Sequence, residues 1–109
     1  MNWSVEFLPE AVKDIENLSH TQQVLVEKAI IKVKQNPLPQ SEGGYGKPLG
    51  NKRGVNLTSL MKIKLRGAGI RIVYKLIRTN SKMLIIVVGV REDDEVYEIA
   101  GSRRMKHDL

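Results

Sequence analysis

The sequence predicts an α+β domain in which one strand and two helices precede an antiparallel three-stranded meander and a last helix. Apolar residues recur at helical spacing between residues 9 and 36. Apolar and polar residues alternate on both sides of a glycine-containing turn between residues 60 and 78. The chain has 109 residues, of which 41% are hydrophobic, and this is enough for one core. We therefore expect a single domain spanning residues 1–109.

The N-terminal third is predicted to form a strand and a helical hairpin. Residues Trp3–Phe7 alternate as a half-buried strand does, and Pro9 suits the first turn of the helix that follows. Ser19 and Gln22 have the spacing of a capping box and predict the start of the second helix. That helix ends before the segment Pro37–Gly54, whose three prolines and five glycines predict a long surface loop.

The C-terminal half is predicted to form the meander and the last helix. Its strands are expected at Leu60–Arg66, Ile70–Ile77 and Met83–Val90. The four acids at residues 92–95 suit a helix N-terminus, because negative charge there complements the helix dipole. We expect this short helix to end at Gly101 and residues 102–109 to form a basic, flexible tail.

Positive charge is concentrated in one part of the chain. The net charge is +6, yet all 12 acids lie outside residues 47–82. That segment contains ten basic residues: Lys47, Lys52, Arg53, Lys62, Lys64, Arg66, Arg71, Lys75, Arg78 and Lys82. Solubility alone does not require the two signs to be separated, whereas a one-sided positive field attracts polyanions. The distribution favours a nucleic-acid ligand over a merely solvated basic surface.

The register of the central hairpin follows from the separation of charged and apolar residues. A loop of two or four residues places the charges on one face, whereas a loop of three residues would bury lysines. The predicted cross-strand pairs are Arg66 with Arg71, Lys64 with Val73, and Lys62 with Lys75. The third strand is expected to place Gly89 opposite Arg71, with Arg91 just beyond, and Leu84 and Tyr74 are assigned to the core face. Like charges facing each other destabilise a sheet by about 0.2–1 kcal/mol per pair, so we expect an anion to bind there.

Most catalytic chemistries lack candidate residues in this chain. The two histidines, His20 and His107, fall outside the predicted sheet, no cysteine is present, and no His, Asp or Glu cluster has metal-ligand spacing. We therefore expect neither a metal nor another cofactor. No signal peptide is recognisable, and the longest apolar run, Met83–Val88, is too short to cross a bilayer. These features predict a soluble, cytoplasmic protein without a membrane partner.

Cleavage of RNA by cationic side chains is compatible with this composition. RNA carries its own nucleophile, the 2′-hydroxyl, so the protein has to remove one proton, stabilise the phosphorane and protonate the 5′-oxygen. Arginine presents a rigid fork to phosphate oxygens. A lysine crowded by other cations has a lowered pKa and can act as a base. The basic face therefore contains residue types that suffice for this reaction.

Several segments make the chain similar to a known family. The chain resembles the RelE toxins of the RelE/ParE superfamily in the hairpin "MKIKLRGAGIRIVYKL", the later "VVGVREDDEVY", the opening "VEFLPEAVKDIENL" and "KPLGN". The resemblance extends from Trp3 to Ala100. It implies a microbial-RNase-type fold, β-α-α-β-β-β-α, with a twisted antiparallel sheet packed on the helical hairpin. It also implies a type II toxin, a metal-independent mRNA interferase that cuts translated mRNA in the A site of the 70S ribosome and is neutralised by a cognate antitoxin.

The resemblance assigns roles to individual residues. Lys64 is the candidate general base, and Lys62 would stabilise the phosphate. Arg71 would hold the phosphate, Arg91 would act as general acid or stabilise the leaving group, and Tyr97 would stack on a base and orient the 2′-hydroxyl. Four further basic residues are expected to bind RNA: Arg66, Lys75, Lys52 and Arg53.

Other interpretations are open at this point. Lys62 and Lys64 also suit an ordinary solvated sheet face, and Tyr97 could simply pack its helix. Arg71 and Arg91 could form ion pairs with Glu92, Asp94 or the C-terminus. A ParE-like inhibitor of DNA gyrase shares the fold, but such chains generally lack the lysine pair together with the tyrosine. A non-catalytic nucleic-acid-binding module would carry stacking aromatic residues on the sheet, and the predicted basic face has none.

Overall fold

The computed structural model describes residues 3–52, 55–90 and 92–109, which form three helices and one five-stranded sheet. The elements in chain order are β1 (Ser4–Phe7), α1 (Pro9–Glu16), α2 (His20–Val33), β2 (Lys47–Lys52), β3 (Val55–Leu65), β4 (Ile70–Ile77), β5 (Lys82–Gly89) and α3 (Asp93–Lys106). The predicted α+β class is confirmed. None of the helices in these residues has the length and apolarity needed to span a membrane.

The sheet is mixed, with strand order β1-β5-β4-β3-β2. Strands β2 to β5 form antiparallel neighbours, whereas β1 pairs with β5 in parallel, from Ser4 opposite Lys82 to Phe7 opposite Ile85. Parallel neighbours need a long crossover, and here the crossover comprises the helical hairpin and the rest of the meander. The expected antiparallel pairing is confirmed for β2 to β5, and β1 departs from it by pairing in parallel.

The capping box that predicts the start of α2 is present. The backbone N of Gln22 donates to Ser19 Oγ at 3.2 Å, and the backbone N of Ser19 donates to Gln22 Oε1 at 2.9 Å. The two hydrogen bonds satisfy donors that a helix N-terminus otherwise leaves unpaired. The boundary between the two helices was thus readable from local sequence.

Strand β2 occupies part of the segment that was predicted as a loop, so this prediction is wrong for residues 47–52. The strand lies at the edge of the sheet and pairs with β3, with Lys47 opposite Lys62. An irregularity falls between Pro48 and Gly50. Proline and glycine are tolerated on an edge strand, but they disrupt the alternation by which a strand is recognised in sequence.

A four-residue loop, Arg66–Gly69, connects β3 to β4. It forms one 3₁₀ turn and ends at Gly69, whose φ of 66° lies in the left-handed region. Leu65 therefore pairs with Ile70, and Lys64 rather than Arg66 lies opposite Arg71. The register differs from the predicted one by two residues. Because side chains alternate with a period of two, the pairing changes but the faces do not.

The predicted cross-strand pairs are accordingly wrong. Arg66 lies in the loop instead of facing Arg71, and Lys75 lies opposite Leu60 instead of Lys62. Lys62 faces Val73 on one side and Lys47 on the other.

A β-bulge in β5 changes which residues share the basic face. Val73 pairs with Val87, but Tyr74 pairs with Ile85, so Ile86 is an extra residue in the ladder. As a consequence Leu84, predicted for the core face, lies opposite Lys75. At the other end of β5, Gly89 lies opposite Arg71, as predicted.

Both faces of the sheet are covered along β5, which lies between β1 and β4. Helix α1 contacts β5 and β1, and α3 contacts β3, β4 and β5. The residues of β5 from Met83 to Val88 are consequently all buried. Tyr74 is fully buried, as predicted, and its hydroxyl donates to the carbonyl of Pro37 at 2.8 Å. Burial raises the pKa of that hydroxyl.

Helix α3 is longer than predicted. It continues through Gly101, which is buried, and includes Ser102–Lys106. The predicted end at Gly101 and the assignment of residues 102–106 to a tail are therefore wrong. The first residue of α3 contacts Lys64 and Arg71, and Leu109, which follows the helix, accepts a hydrogen bond from Lys75. The helix thus crosses the face of the sheet that carries these cations.

Two charged side chains complete the hydrogen bonding at one edge of β5. In the described sheet, β1 pairs with β5 only as far as Ile85, and the following residues of that edge have no strand neighbour. Asp14 on α1 accepts a hydrogen bond from the backbone N of Val88 at 3.0 Å. Arg103 on α3 donates to the carbonyl of Ile86 at 3.0 Å. The two side chains also pair with each other at 2.6 and 3.1 Å, which ties both helices to the sheet.

Candidate functional site

The candidate site is centred on two cations that are direct cross-strand neighbours. Lys64 on β3 lies opposite Arg71 on β4, and Arg71 lies opposite Gly89 on β5. Lys62 is two residues before Lys64 on the same strand and therefore projects to the same face. The structure thus brings together three of the predicted catalytic residues beside a position without a side chain. Arg91, the fourth predicted cation, lies outside the described residues.

An acid lies between the two central cations. Lys64 Nζ is 2.7 Å from Asp93 Oδ2, and Arg71 Nε donates to the other oxygen, Asp93 Oδ1. Arg71 also donates through Nη1 to the carbonyl of Gly69 at 3.0 Å. The hydrogen bond from Lys64, supported by that from Arg71, lowers the pKa of Asp93 against the opposing effect of burial. The site therefore contains two basic side chains bridged by one carboxylate.

The site is half open to solvent. The side chains of Lys64 and Arg71 are 23% and 25% exposed, and that of Asp93 is 35% exposed. An ion pair at this level of exposure is weaker than a buried one, because water screens it and solvates its partners. A competing anion can therefore reach the same donors from solution.

Asp93 contacts two of the predicted site residues and is not predicted from the sequence. The acids at residues 92–95 predict only a helix start, and the candidate partners of Arg71 are Glu92, Asp94 and the C-terminus. Asp93 is the first residue of α3 and at the same time the partner of Lys64 and Arg71. The available signal was the position of this acid soon after Gly89, which was correctly predicted to lie opposite Arg71.

Tyr97 lies one turn of α3 after Asp93 and is buried, with 4% of its surface exposed. Within the described part of the chain, its hydroxyl has no hydrogen-bond partner. Burial raises the pKa of this hydroxyl, and the charge of Asp93 adds to that effect while Arg71 opposes it. The hydroxyl therefore lies within electrostatic reach of the ion cluster, although the ring is packed more tightly than a base-stacking role predicts.

The structure describes only some of the other predicted RNA-binding residues, and these lie on different elements. Arg66 is exposed in the loop between β3 and β4, on the chain segment that follows Lys64. Lys75 is half-buried and donates to the main-chain oxygen of Leu109. Lys52 ends β2, but its side chain is outside the described part of the structure. Arg53 also lies outside the described residues.

Comparison with known proteins identifies the family. The mRNA interferase toxin RelE of Escherichia coli strain K12 and the mRNA interferase RelE of Shigella flexneri are each 30% identical to the chain over 103 residues. The alignments cover 94% of the chain and 98% of each relative. The chain belongs to the RelE toxin family. No protein-family model matches it.

Solved RelE structures share this fold. A mutant of E. coli toxin RelE in the free state superposes with a TM-score of 0.71 at 29% identity, covering 94% of the chain and 98% of the other protein. RelE in the intact E. coli RelBE toxin–antitoxin complex superposes with a TM-score of 0.64 at 27% identity, covering 83% and 98%. The expected family is therefore confirmed by both sequence and structure.

The sheet face that carries Lys64 and Arg71 offers positively charged hydrogen-bond donors. Among the residues that the structure describes, no group of three or more His, Cys, Asp or Glu side chains is arranged to hold a metal ion. What the arrangement provides is a pair of donors, Lys64 Nζ and Arg71 Nε, that already bind two oxygens of a single anion. A phosphodiester presents two such oxygens.

Proposed function

We propose that this protein is the toxin of a type II toxin–antitoxin system and a ribosome-dependent endoribonuclease that cleaves translated mRNA in the A site. The observation that carries the proposal is the placement of Lys64 directly opposite Arg71, on the face that also carries Lys62. Two relatives with 30% identity over nearly the whole chain are named mRNA interferases, which supports the same activity.

The proposed reaction uses the RNA, the side chains and water. Lys64, as the neutral amine, removes the proton of the 2′-hydroxyl, and the oxygen attacks the adjacent phosphorus. The bond to the 5′-oxygen breaks, a 2′,3′-cyclic phosphate forms, the leaving oxygen takes up a proton from water, and the protonated Lys64 returns its proton to solvent. Arg71 holds the non-bridging oxygens with its fork, and Lys62 adds positive charge as the phosphorane develops.

In this proposal Arg91 acts on the leaving 5′-oxygen, and Tyr97 acts on the nucleotide that carries the attacking 2′-hydroxyl. Arg91 stabilises the leaving oxygen, a role that suits a guanidinium better than proton donation because its pKa is ordinarily above 12. Tyr97 orients the nucleotide whose 2′-hydroxyl reacts. Its hydroxyl has no partner among the described residues, which supports this role, since a buried donor without a partner is unfavourable until a ligand supplies one.

The partners of the protein follow from the same proposal. A cognate antitoxin, the 70S ribosome and mRNA are expected to bind it, whereas a membrane is not. Solved structures with the same fold include the intact E. coli RelBE toxin–antitoxin complex and the toxin–antitoxin complex RelBE2 of Mycobacterium tuberculosis. Without a partner, the protein presents Lys62, Lys64 and Arg71 on one face of the sheet. Its affinity for ribosomes should therefore fall steeply as the salt concentration increases. A flat salt response would count against that face as the binding surface.

The test is cleavage of mRNA on purified ribosomes, followed by primer extension. Wild type should produce cuts at codon-defined positions, and Arg71→Ala and Lys64→Ala should each abolish them while retaining the circular dichroism of the folded protein. Lys28→Ala is the matched control, because Lys28 is an exposed lysine on α2 and its removal changes net charge equally.

Two results would reject the proposal. The first is unimpaired cleavage by the double variant Lys64→Ala/Arg71→Ala. The second is intact mRNA accompanied by gyrase-dependent DNA breaks, which would indicate the ParE-like activity. That alternative is not favoured, because the relatives named above are RelE toxins.

A further inference from the structure

The bridging position of Asp93 raises a question about the free protein. Its two carboxylate oxygens bind one donor each, Lys64 Nζ at 2.7 Å and Arg71 Nε. In the proposed function Arg71 binds the RNA phosphate and Lys64 is the base beside it, so both have to be released from Asp93. We infer that Asp93 is an intramolecular competitor of RNA, whose carboxylate occupies the phosphate position until the phosphate displaces it. The inference rests on the proposed function and adds a specific residue to it.

A carboxylate is a good substitute for a phosphodiester at this site. Both groups carry one negative charge and present two acceptor oxygens to a forked donor. Lys64 and Arg71 repel each other across the strands, and an anion between them relieves that repulsion. Asp93 therefore stabilises the protein without RNA, and an incoming phosphate has to replace a contact that already exists.

The position of Asp93 also allows it to leave. It is the first residue of α3, and its side chain is 35% exposed, so the released carboxylate can be solvated by water. Negative charge at a helix N-terminus remains favourable after the ion pair is broken, because the helix dipole is unchanged. Since partly exposed ion pairs are weak, the competition should reduce RNA affinity by a modest factor rather than block binding.

A second role for Asp93 predicts the opposite result. If Asp93 positioned Lys64 and Arg71 for catalysis and stayed between them when RNA is bound, its removal would loosen the two donors. RNA affinity would then fall or stay the same. The sign of the change in affinity therefore distinguishes a competitor from a positioning residue.

The experiment compares Asp93→Asn with a matched variant of the same helix turn. Glu95→Gln removes the same charge. Glu95 is exposed, whereas the carboxylate that pairs with Lys64 and Arg71 is that of Asp93. The probe is a fluorescent six-nucleotide single-stranded RNA with 2′-O-methyl sugars, which binds without being cleaved. Dissociation constants are measured by anisotropy at low ionic strength, and thermal unfolding is recorded for each variant.

Asp93→Asn should bind this RNA about three- to fivefold more tightly than wild type, the effect of removing a partly exposed ion pair. Glu95→Gln should gain about twofold or less, since it changes only the overall field. Equal gains for the two variants, weaker binding by Asp93→Asn, or undetectable binding by all proteins would overturn the inference.

One further variant separates this inference from the proposed function. Arg71→Ala should bind the RNA more weakly than wild type whether or not Asp93 competes. If Arg71→Ala binds weakly while Asp93→Asn behaves as Glu95→Gln does, the competitor role is refuted and the phosphate site remains. If Arg71→Ala binds as well as wild type, the phosphate site itself is refuted.

Discussion

The ion pair between Asp14 and Arg103 should contribute strongly to stability, because it replaces strand pairing at the edge of β5. Asp14 accepts hydrogen bonds from Arg103 and from the backbone N of Val88, while Arg103 also donates to the carbonyl of Ile86. The two side chains are only 18% and 17% exposed. Removing Asp14 would leave a guanidinium and a backbone N–H without their acceptor.

The expected magnitude follows from this burial. Breaking a buried pair by removing one partner costs about 3–5 kcal/mol, and the residual exposure of both groups lowers this to about 2–4 kcal/mol. Asp14→Ala and Arg103→Met should each lower the free energy of unfolding by that amount. The double variant should lose less than the sum, by about 1 kcal/mol or more, because the second substitution removes the unpaired partner.

Urea unfolding followed by Trp3 fluorescence is a suitable assay, because Trp3 is the single tryptophan and is buried beside the sheet. The control is Glu42→Gln, which breaks the pair of Glu42 with Arg78, whose side chains are 44% and 54% exposed. This control should leave stability unchanged within error. Losses below about 1 kcal/mol for the single variants, or strictly additive losses in the double variant, would refute the argument that this ion pair replaces strand pairing at the edge of β5.

The remaining predictions concern turns, the buried tyrosine and acid stability. Ser81 has a left-handed φ of 49°, so Ser81→Gly should raise the free energy of unfolding in urea by about 1 kcal/mol. Gly69 has a left-handed φ of 66°, so Gly69→Ala should lower it by about 1 kcal/mol. Changes of the opposite sign would contradict this backbone argument. Tyr97→Phe should retain or raise thermal stability, because it removes a buried hydroxyl without a described partner, yet reduce mRNA cleavage on ribosomes; a destabilised but active variant would show that the hydroxyl is structural. Hydrogen bonds from His107, and then from Lys106, hold the pKa of Glu10 at about 2, against an ordinary value of 4.5. Stability from this group is complete above about pH 4.5 and is lost as pH falls towards about 2, so wild type should lose more stability than Glu10→Gln over that interval, and parallel unfolding curves would be the contrary result.

Local signals in the chain were reliable wherever a single element decides the outcome. The capping box at Ser19 and Gln22 marked the start of α2, because its two hydrogen bonds involve only neighbouring residues. The alternation around the central hairpin placed Lys62, Lys64 and Arg71 on one face, because a strand has a period of two whatever its register. Gly89 opposite Arg71 was likewise predicted correctly.

Predictions failed where two distant elements determine the result. The loop Arg66–Gly69 moved the register by two residues, so Lys64 rather than Arg66 became the neighbour of Arg71. The bulge lies at Ile86, whose carbonyl accepts a hydrogen bond from Arg103 on α3. The two residues are 17 positions apart, so the local sequence pattern around Ile86 does not predict this contact. Strand β2 was not predicted because it contains a proline and a glycine. Edge strands tolerate both residues, but in a sequence they are typical of loops.

The amino-acid sequence alone determined the family, the α+β class and the separation of basic from apolar residues, because these depend on residue identity and periodicity. The tertiary structure alone decided what lies over the basic face. Helix α3 continues past Gly101, crosses the sheet and places Asp93 between Lys64 and Arg71. That contact joins residues 22 and 29 positions apart, so it depends on how the helix packs on the sheet and is not contained in any segment of the chain.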